Sequence, residues 1–455
     1  MKKTTIGMVL LCAILLGSCT KDAEMKNEAL PQNTETTMDA FKPMTFEQTR
    51  ALVGEVLGSD VAERIVPTSR YVRVFFPNVD RLLEEIRKEE LIYSSVPAPG
   101  IEVPLVTVPE GQPEPQYTVL TGDAQLPDDV EYEVLAEFFA PEDPQSGLTT
   151  EQSAAVMQKI AERQPMTRAA TSWKPAGRIQ YRDELTGEYY PMEGLRVVVF
   201  GYSSSMQMIQ ETVRTDASGN FTATKTYAAL PGTATIQWQD TRWSILSDNS
   251  NLASTGQAMD PNNMPRWNCI ISSAKGVSYD YASAFLAAKY MHENGYTLSN
   301  STANSSMKIC CFDESVPSNS DDRFYPDASN SNIMTVLIYC QDKTPLEIMQ
   351  TVCREAGKAA QQLKINDKTN DYSNFKRTVT ESWGEFTKYY FVDSYYKELD
   401  AANSLYVYDD LFSLFYPMPN ELNRQAWNYN PTKAAYNQCR TPMFIDLIDN
   451  CDQSS

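Results

Sequence analysis

The chain has 455 residues, with 59 acidic against 39 basic side chains, a formal charge of −20 and a single histidine. So acidic a surface repels nucleic-acid phosphates and anionic lipid alike, which argues against a nucleic-acid partner. One histidine, His292, largely excludes zinc and triad chemistries that need several imidazoles.

The first stretch is a leader. Lys2 and Lys3 precede an apolar run over 6–16 that is too short to span a bilayer and fits a signal h-region. Leu16-Gly-Ser-Cys19 closes it as a lipobox, so residues 1–18 are expected to be cleaved and Cys19 to be acylated. The acidic tract Thr20-Lys-Asp-Ala-Glu24 resembles the surface-export signal of Bacteroidota lipoproteins. That resemblance implies a lipid-anchored outer-membrane protein exposed at the cell surface. Cleavage removes two lysines and no acid, so the anchor has to come from acyl chains rather than from charge. Residues 19–45 are polar and read as a flexible tether.

The remainder is long enough for about three domains, and the expected class is multidomain α+β. Over 46–170 the periodicity gives a small α+β region: helix over 46–57, strand over 71–76, helix over 79–88, a proline-rich stretch over 97–115, an apolar segment over 132–139 and an amphipathic helix over 148–163. Over 171–246 the composition changes to short runs of β-branched and aromatic residues, at 178–181, 195–200, 211–215, 221–226 and 233–238. Thr215-Asp-Ala-Ser-Gly-Asn-Phe221 reads as a hairpin connection, with an aspartate capping its own turn and a glycine free to take positive φ. With Gly194-Leu-Arg-Val before it, this stretch resembles the transthyretin-like or carboxypeptidase-regulatory-like β-sandwich. Arg242-Trp243 fits a domain interface better than a sugar platform, because one tryptophan is a thin basis for stacking a glycan.

The third region is expected over 265–455. A helix over 279–290 and strands over 307–312 and 334–339 lead through Thr344 and Pro345, suited to the N-cap and first helical positions, into a long helix over 346–363. Ile348, Val352, Ala356, Ala359 and Leu363 form its apolar face. The helix carries Thr351-Val-Cys-Arg-Glu-Ala-Gly-Lys-Ala-Ala-Gln361, and Glu381-Ser-Trp-Gly-Glu385 follows after a polar loop. Aromatic stretches over 389–396 and 411–416 and the closing segment over 441–449 complete the region.

Strand, motif helix and then a glutamate-bearing second helix resemble a zincin-type metallopeptidase, and the order of segments resembles Bacteroidota lipoproteins with zincin-like C-terminal domains. A zincin carries His-Glu-x-x-His, whose two imidazoles share one helix face. Arg354, Glu355 and Lys358 stand in those places, with Glu381 as the counterpart of a third ligand. The resemblance therefore implies a degenerate site with no metal and no cofactor, since arginine cannot deprotonate to bind zinc. Such like charges four apart need anions nearby, so Arg354 or Lys358 is expected within salt-bridge distance of Glu381 or Glu385. The chain is thus expected to bind or to build rather than to catalyse, anchored to the membrane through Cys19, with a protein or glycan as partner. Two alternatives stay open: an accessory lipoprotein of an outer-membrane nutrient-uptake complex, and a hydrolase using carboxylates such as Glu355 and Glu381. Of nine cysteines, those beyond Cys19 lack metal-site spacing and read mostly as small buried apolar groups. Pairing of Cys439 with Cys451 is conceivable but not established by their spacing.

Overall fold

A computed structural model of the chain describes residues 42–163, 172–248, 250–296, 307–317, 322–326, 334–365 and 374–403. The leader, Cys19, most of the tether, Cys439, Cys451 and the stretches 411–416 and 441–449 lie outside these residues. What is described is a mixed α+β structure with several sheets and seven α-helices.

The N-terminal region follows its local signals closely. Helix α1 (Phe46–Leu57) starts at Thr45, which shares a reciprocal capping box with Gln48. After the single turn α2 (Ser59–Ala62) come β1 (Ser69–Phe75) and α3 (Val79–Lys88), the latter capped by the Asn78 side chain. β1 is the middle strand of an antiparallel sheet, flanked by β2 (Gln116–Thr121) and β3 (Glu131–Phe138). Helix α4 (Thr150–Arg163) packs against α1 around Leu52, Val53, Val156 and Ile160.

Between residues 172 and 271 the chain forms short strands: β4 (Ser172–Trp173), β5 (Ala176–Arg182), β6 (Tyr189–Pro191), β7 (Arg196–Tyr202), β8 (Met208–Arg214), β9 (Asn220–Thr222), β10 (Tyr227–Ala228), β11 (Gly232–Gln237), β12 (Trp243–Leu246), β13 (Ser254–Met259) and β14 (Arg266–Ile271). One sheet has the order β13-β11-β7-β8, and another has β14-β5-β6 with β9 also paired to β5. The turn before β9 is as its sequence implies. Asp216 Oδ1 accepts the Ser218 and Asn220 amides at 2.9 and 2.8 Å, Gly219 has φ +76°, and Phe221 returns to the core.

Two backbone pairings cross the boundary expected between 246 and 265. β12, at the end of the 171–246 stretch, pairs in parallel with β15 (Met307–Phe312), which pairs in parallel with β17 (Met334–Tyr339). β16 (Arg323–Pro326) closes that sheet antiparallel to β17. β14, at the start of the 265–455 stretch, pairs in parallel with β5. Local alternation marks a strand but does not name its partner, and parallel partners are distant in sequence by necessity.

The β12-β15-β17-β16 sheet is covered on both faces. Ile309, Cys311, Val336 and Ile338 join the large core with α5 (Val277–Glu293), whereas Cys310 and Leu337 join Val72, Val74, Leu82 and Ile86 of the N-terminal region. Adjacent cysteines thus point to opposite faces, as strand geometry requires. Trp243 is buried against Phe285 and His292 of α5, with ring centroids 5.8 and 5.7 Å apart, which rules it out as an exposed platform. His292 also contacts Arg242, and burial followed by that guanidinium pushes its pKa down, a packing role for the lone histidine.

Asp280, in the first turn of α5, is pushed up to about 7, first by burial and then by the charge of Asp313. Its folded pKa therefore exceeds the unfolded one. Between pH about 4 and about 7 the folded state keeps a proton that the unfolded chain has released, so this group lowers stability as pH rises through that window. Asp280→Asn is expected to flatten the fall in melting temperature over that range and to melt above the wild type at pH 8. An unchanged pH profile in thermal melts would show that Asp280 is not the group responsible.

Candidate functional site

Two helices build the site. α6 (Pro345–Ile365) begins at Thr344, whose Oγ accepts the Glu347 amide at 3.3 Å while Glu347 accepts the Thr344 amide at 2.8 Å. Ile348, Val352, Ala356 and Ala359 of its apolar face are buried, together with Met349, Cys353 and Ala360. α7 (Asn374–Asn403) lies along it, held by Phe391, Val392, Tyr395 and Tyr396.

Close approach of the helices depends on glycine. A β-carbon on Gly357 would stand 2.1 Å from Thr387 Oγ1, and one on Gly384 would stand 2.7 Å from Lys358 Cε. In that gap Thr387 Oγ1 donates to the Cys353 carbonyl at 3.0 Å, tying α7 to α6. Tyr296 donates to the Gly357 carbonyl at 2.9 Å and accepts from Trp383 Nε1 at 2.7 Å, a second link between the helices.

The charged residues singled out in the sequence converge here. Arg354 reaches three carboxylates: Glu355 through Nη1 at 2.5 Å, Glu381 through Nη2 at 2.6 Å and Glu385 through Nε at 2.8 Å. Lys358 Nζ lies 2.9 Å from both Glu355 Oε1 and Glu381 Oε2. Both cations thus bridge α6 to α7, as charge balance on the helix face demands. Lys388, 3.7 Å from Glu385, adds a third cation, so three positive groups face three carboxylates. Sequence reasoning missed the roles of Gly384, Thr387 and Lys388, although Gly384 and Lys388 lie three and seven residues from Glu381 on its helical stripe and Thr387 lies three from Gly384.

Burial decides the electrostatics. The Glu355 side chain is 1% exposed and that of Lys358 is 4% exposed, so neither can rely on water. Burial pushes the Glu355 carboxyl up, against the opposing pull of Lys358 and Arg354, and its Oε2 is buried without a protein partner. Burial disfavours the charged Arg354 as well, but Glu355, Glu381 and Glu385 outweigh it and hold the guanidinium above the usual arginine range.

The resemblance to zinc peptidases invites a test of fit for a metal between these helices. The residues do not fit. Two of the positions that would carry ligands end in cationic donors without a lone pair to offer, and both are already bonded to the carboxylates that would complete a ligand set. Among the described residues, no group of three or more histidine, cysteine, aspartate or glutamate side chains is arranged to hold a metal ion. Nor do Glu355 and Glu381 stand as a free carboxylate pair, since both accept from Arg354 and Lys358.

No known family pattern matches the chain, and no curated protein matches it. Among solved structures, a 9R-lipoxygenase from Cyanothece PCC8801 is similar over 32% of this chain and 28% of its own length, at 16% identity and a TM-score of 0.12. A likeness so partial carries no inference about fold or activity.

Removing one buried charge should expose how tightly the network is coupled. Lys358→Met is expected to lower stability by about 3–5 kcal/mol, because it strands Glu355 in the interior. Adding Glu355→Gln should restore a large part of that loss. Denaturant unfolding of both variants measures this, and a single variant as stable as the wild type would mean that the network is solvated rather than buried.

Proposed function

We propose that this protein is a lipid-anchored component of the cell envelope, built on a zincin-related scaffold whose metal position is taken by side-chain cations, with a binding or structural role rather than a hydrolytic one. The observation that carries this reading is the placement of Arg354 and Lys358 between Glu355 on α6 and Glu381 on α7. In a zincin a metal ion neutralises the carboxylate of the second helix, and loss of the metal would leave it uncompensated at a cost of several kcal/mol. Two permanent or near-permanent cations do the same work without a ligand. The order strand β17, motif helix α6, glutamate-bearing helix α7 is the zincin order. The paired sheets over 172–271, with Ile179, Tyr181, Val197, Val199 and Ile236 in one core, suit a transthyretin-like sandwich ahead of it.

The anchor rests on the lipobox ending at Cys19 and the short apolar run before it. Among the described residues no helix is long and apolar enough to cross a membrane, so attachment through acyl chains is compatible with the structure.

Two experiments test these readings separately. Purified protein should carry no stoichiometric zinc and show no chelator-sensitive peptidase activity. Arg354→His combined with Lys358→His should introduce zinc binding, with Glu381 available as a third ligand. Zinc in the wild-type protein at one ion per chain would refute the pseudo-peptidase reading. For the anchor, Cys19→Ala should move the protein from the membrane fraction to the soluble fraction, and continued tight membrane association of that variant would remove the lipidation proposal.

A further inference from the structure

At one end of the β13-β11-β7-β8 sheet, far in sequence from the α6–α7 network, three arginines gather around a small chamber. Arg196 opens β7 and Arg214 closes β8, and the two are direct partners in the antiparallel register. Like charges directly opposed across a strand pair repel. Arg87, from the last turn of α3, lines the same chamber, as does Gln239 from the turn between β11 and β12.

Arg196 is 4% exposed, yet its nearest carboxylate, Glu89, is 3.5 Å away with a side chain 62% exposed. Arg214 donates through Nη1 to the Gly194 carbonyl at 3.1 Å, and its carboxylate neighbour, Asp240, is 3.9 Å away. Two carboxylates, Glu89 and Asp240, line the chamber with the three guanidinium groups, while Glu84 and Asp80 act on Arg87 from outside the lining. The shortfall shows in individual atoms. Arg196 Nε, Arg87 Nη1 and Gln239 Nε2 are all buried donors without a protein partner. Every one of these orphan groups is a donor, and a buried donor left unpaired costs about 1–3 kcal/mol, more where it is charged. The comparably buried Arg73 also leaves its Nε without a protein partner, but its two terminal nitrogens reach Glu133 and the Pro104 carbonyl, both at 2.5 Å. Burial pulls the Arg196 pKa below the usual arginine range, against Glu89 and with Arg214, as an under-compensated cation requires.

We propose that the chamber framed by Arg87, Arg196, Arg214 and Gln239 is a binding site for a small inorganic oxyanion of the phosphate or sulfate class. Its volume of about 20 Å³ takes one or two oxygen atoms. The rest of a tetrahedral anion then lies at the mouth, where the Arg214 side chain is 40% exposed. Planar guanidinium forks suit the paired oxygens of such an ion better than the single oxygen of water. Bound there, the anion would join α3 of the N-terminal region to β7, β8 and the β11–β12 turn, and so lock two parts of the fold together.

A titration of the full chain with inorganic phosphate at constant ionic strength, read by thermal melting and by calorimetry, tests this. The wild type should show a saturable rise in melting temperature. Arg214→Gln, at the exposed mouth where folding is not at stake, should raise the half-saturating phosphate concentration about tenfold or more. Arg196→Met should abolish the response and, in phosphate-free buffer, melt no lower than the wild type, because it removes an under-paired buried charge. Should Arg196→Met fail to fold, Arg214→Gln alone decides the matter. Absence of any saturable response to phosphate or sulfate, or a response of undiminished affinity in Arg214→Gln, would overturn the assignment and leave water as the partner of these donors.

Discussion

Everything about the α6–α7 pair depends on keeping charge out of water without leaving it alone. Lys358 and Glu355 are almost wholly buried, and the energy that ion pairing returns in such a place seldom exceeds what dehydration takes away. A buried pair of this kind is weak evidence of stability but a strong constraint on geometry. Arg354 can satisfy three carboxylates only if Glu381 and Glu385 face it across the helix gap, and the gap closes only because positions 357 and 384 lack a side chain. Register, rotation and separation of the two helices are thus fixed by one network, and the tyrosine and tryptophan bonds at Gly357 and Trp383 reinforce the same choice. An apolar replacement of similar volume would pack as well and specify less.

That constraint also bears on what the helices can do. A cleft that works on a substrate needs at least one group held ready and unspent, with a pKa near the working pH. Here Glu355, Glu381 and Glu385 each accept from a cation through at least one oxygen, while Glu355 Oε2 stays buried without a protein partner. Under the proposed binding or structural role, this network would hold α6 and α7 in register while other surfaces make contacts.

Much of the local structure was legible in the sequence because short-range physics decides it. Thr344 and Pro345 announce the start of α6, and Asp216 with Gly219 the turn before β9. The opposite facing of Cys310 and Cys311 follows from strand periodicity alone. The convergence of Arg354, Lys358, Glu381 and Glu385 was legible too, because like charges four apart on a helix demand anions and the next helix supplied them. Strand partnership was not legible. Nothing in Trp243-Ser-Ile-Leu says that it will lie beside Met307 rather than beside β11, and nothing in β14 points back to β5. Composition shifts near 246 and 265 marked changes of local pattern, while the sheets were assembled by long-range packing that no window of residues contains. The opposition of Arg196 and Arg214 was hidden for the same reason, being visible only once the register of β7 and β8 is known.

The parallel pairing of β5 with β14 has a consequence in time as well as in space. Ala176 meets Arg266, ninety positions later, so β5 waits for most of the intervening strands before its own hydrogen bonds are complete. Loop closure on that scale is entropically expensive and makes folding slow compared with helical or hairpin structure. In the interval β5 presents an open strand edge to whatever lies near, the situation in which strands of different chains find one another. β6 and β9 pair with β5 from nearer in sequence and so offer early local contacts. They act in effect as a temporary guard, holding the nascent sheet until its distant neighbour arrives.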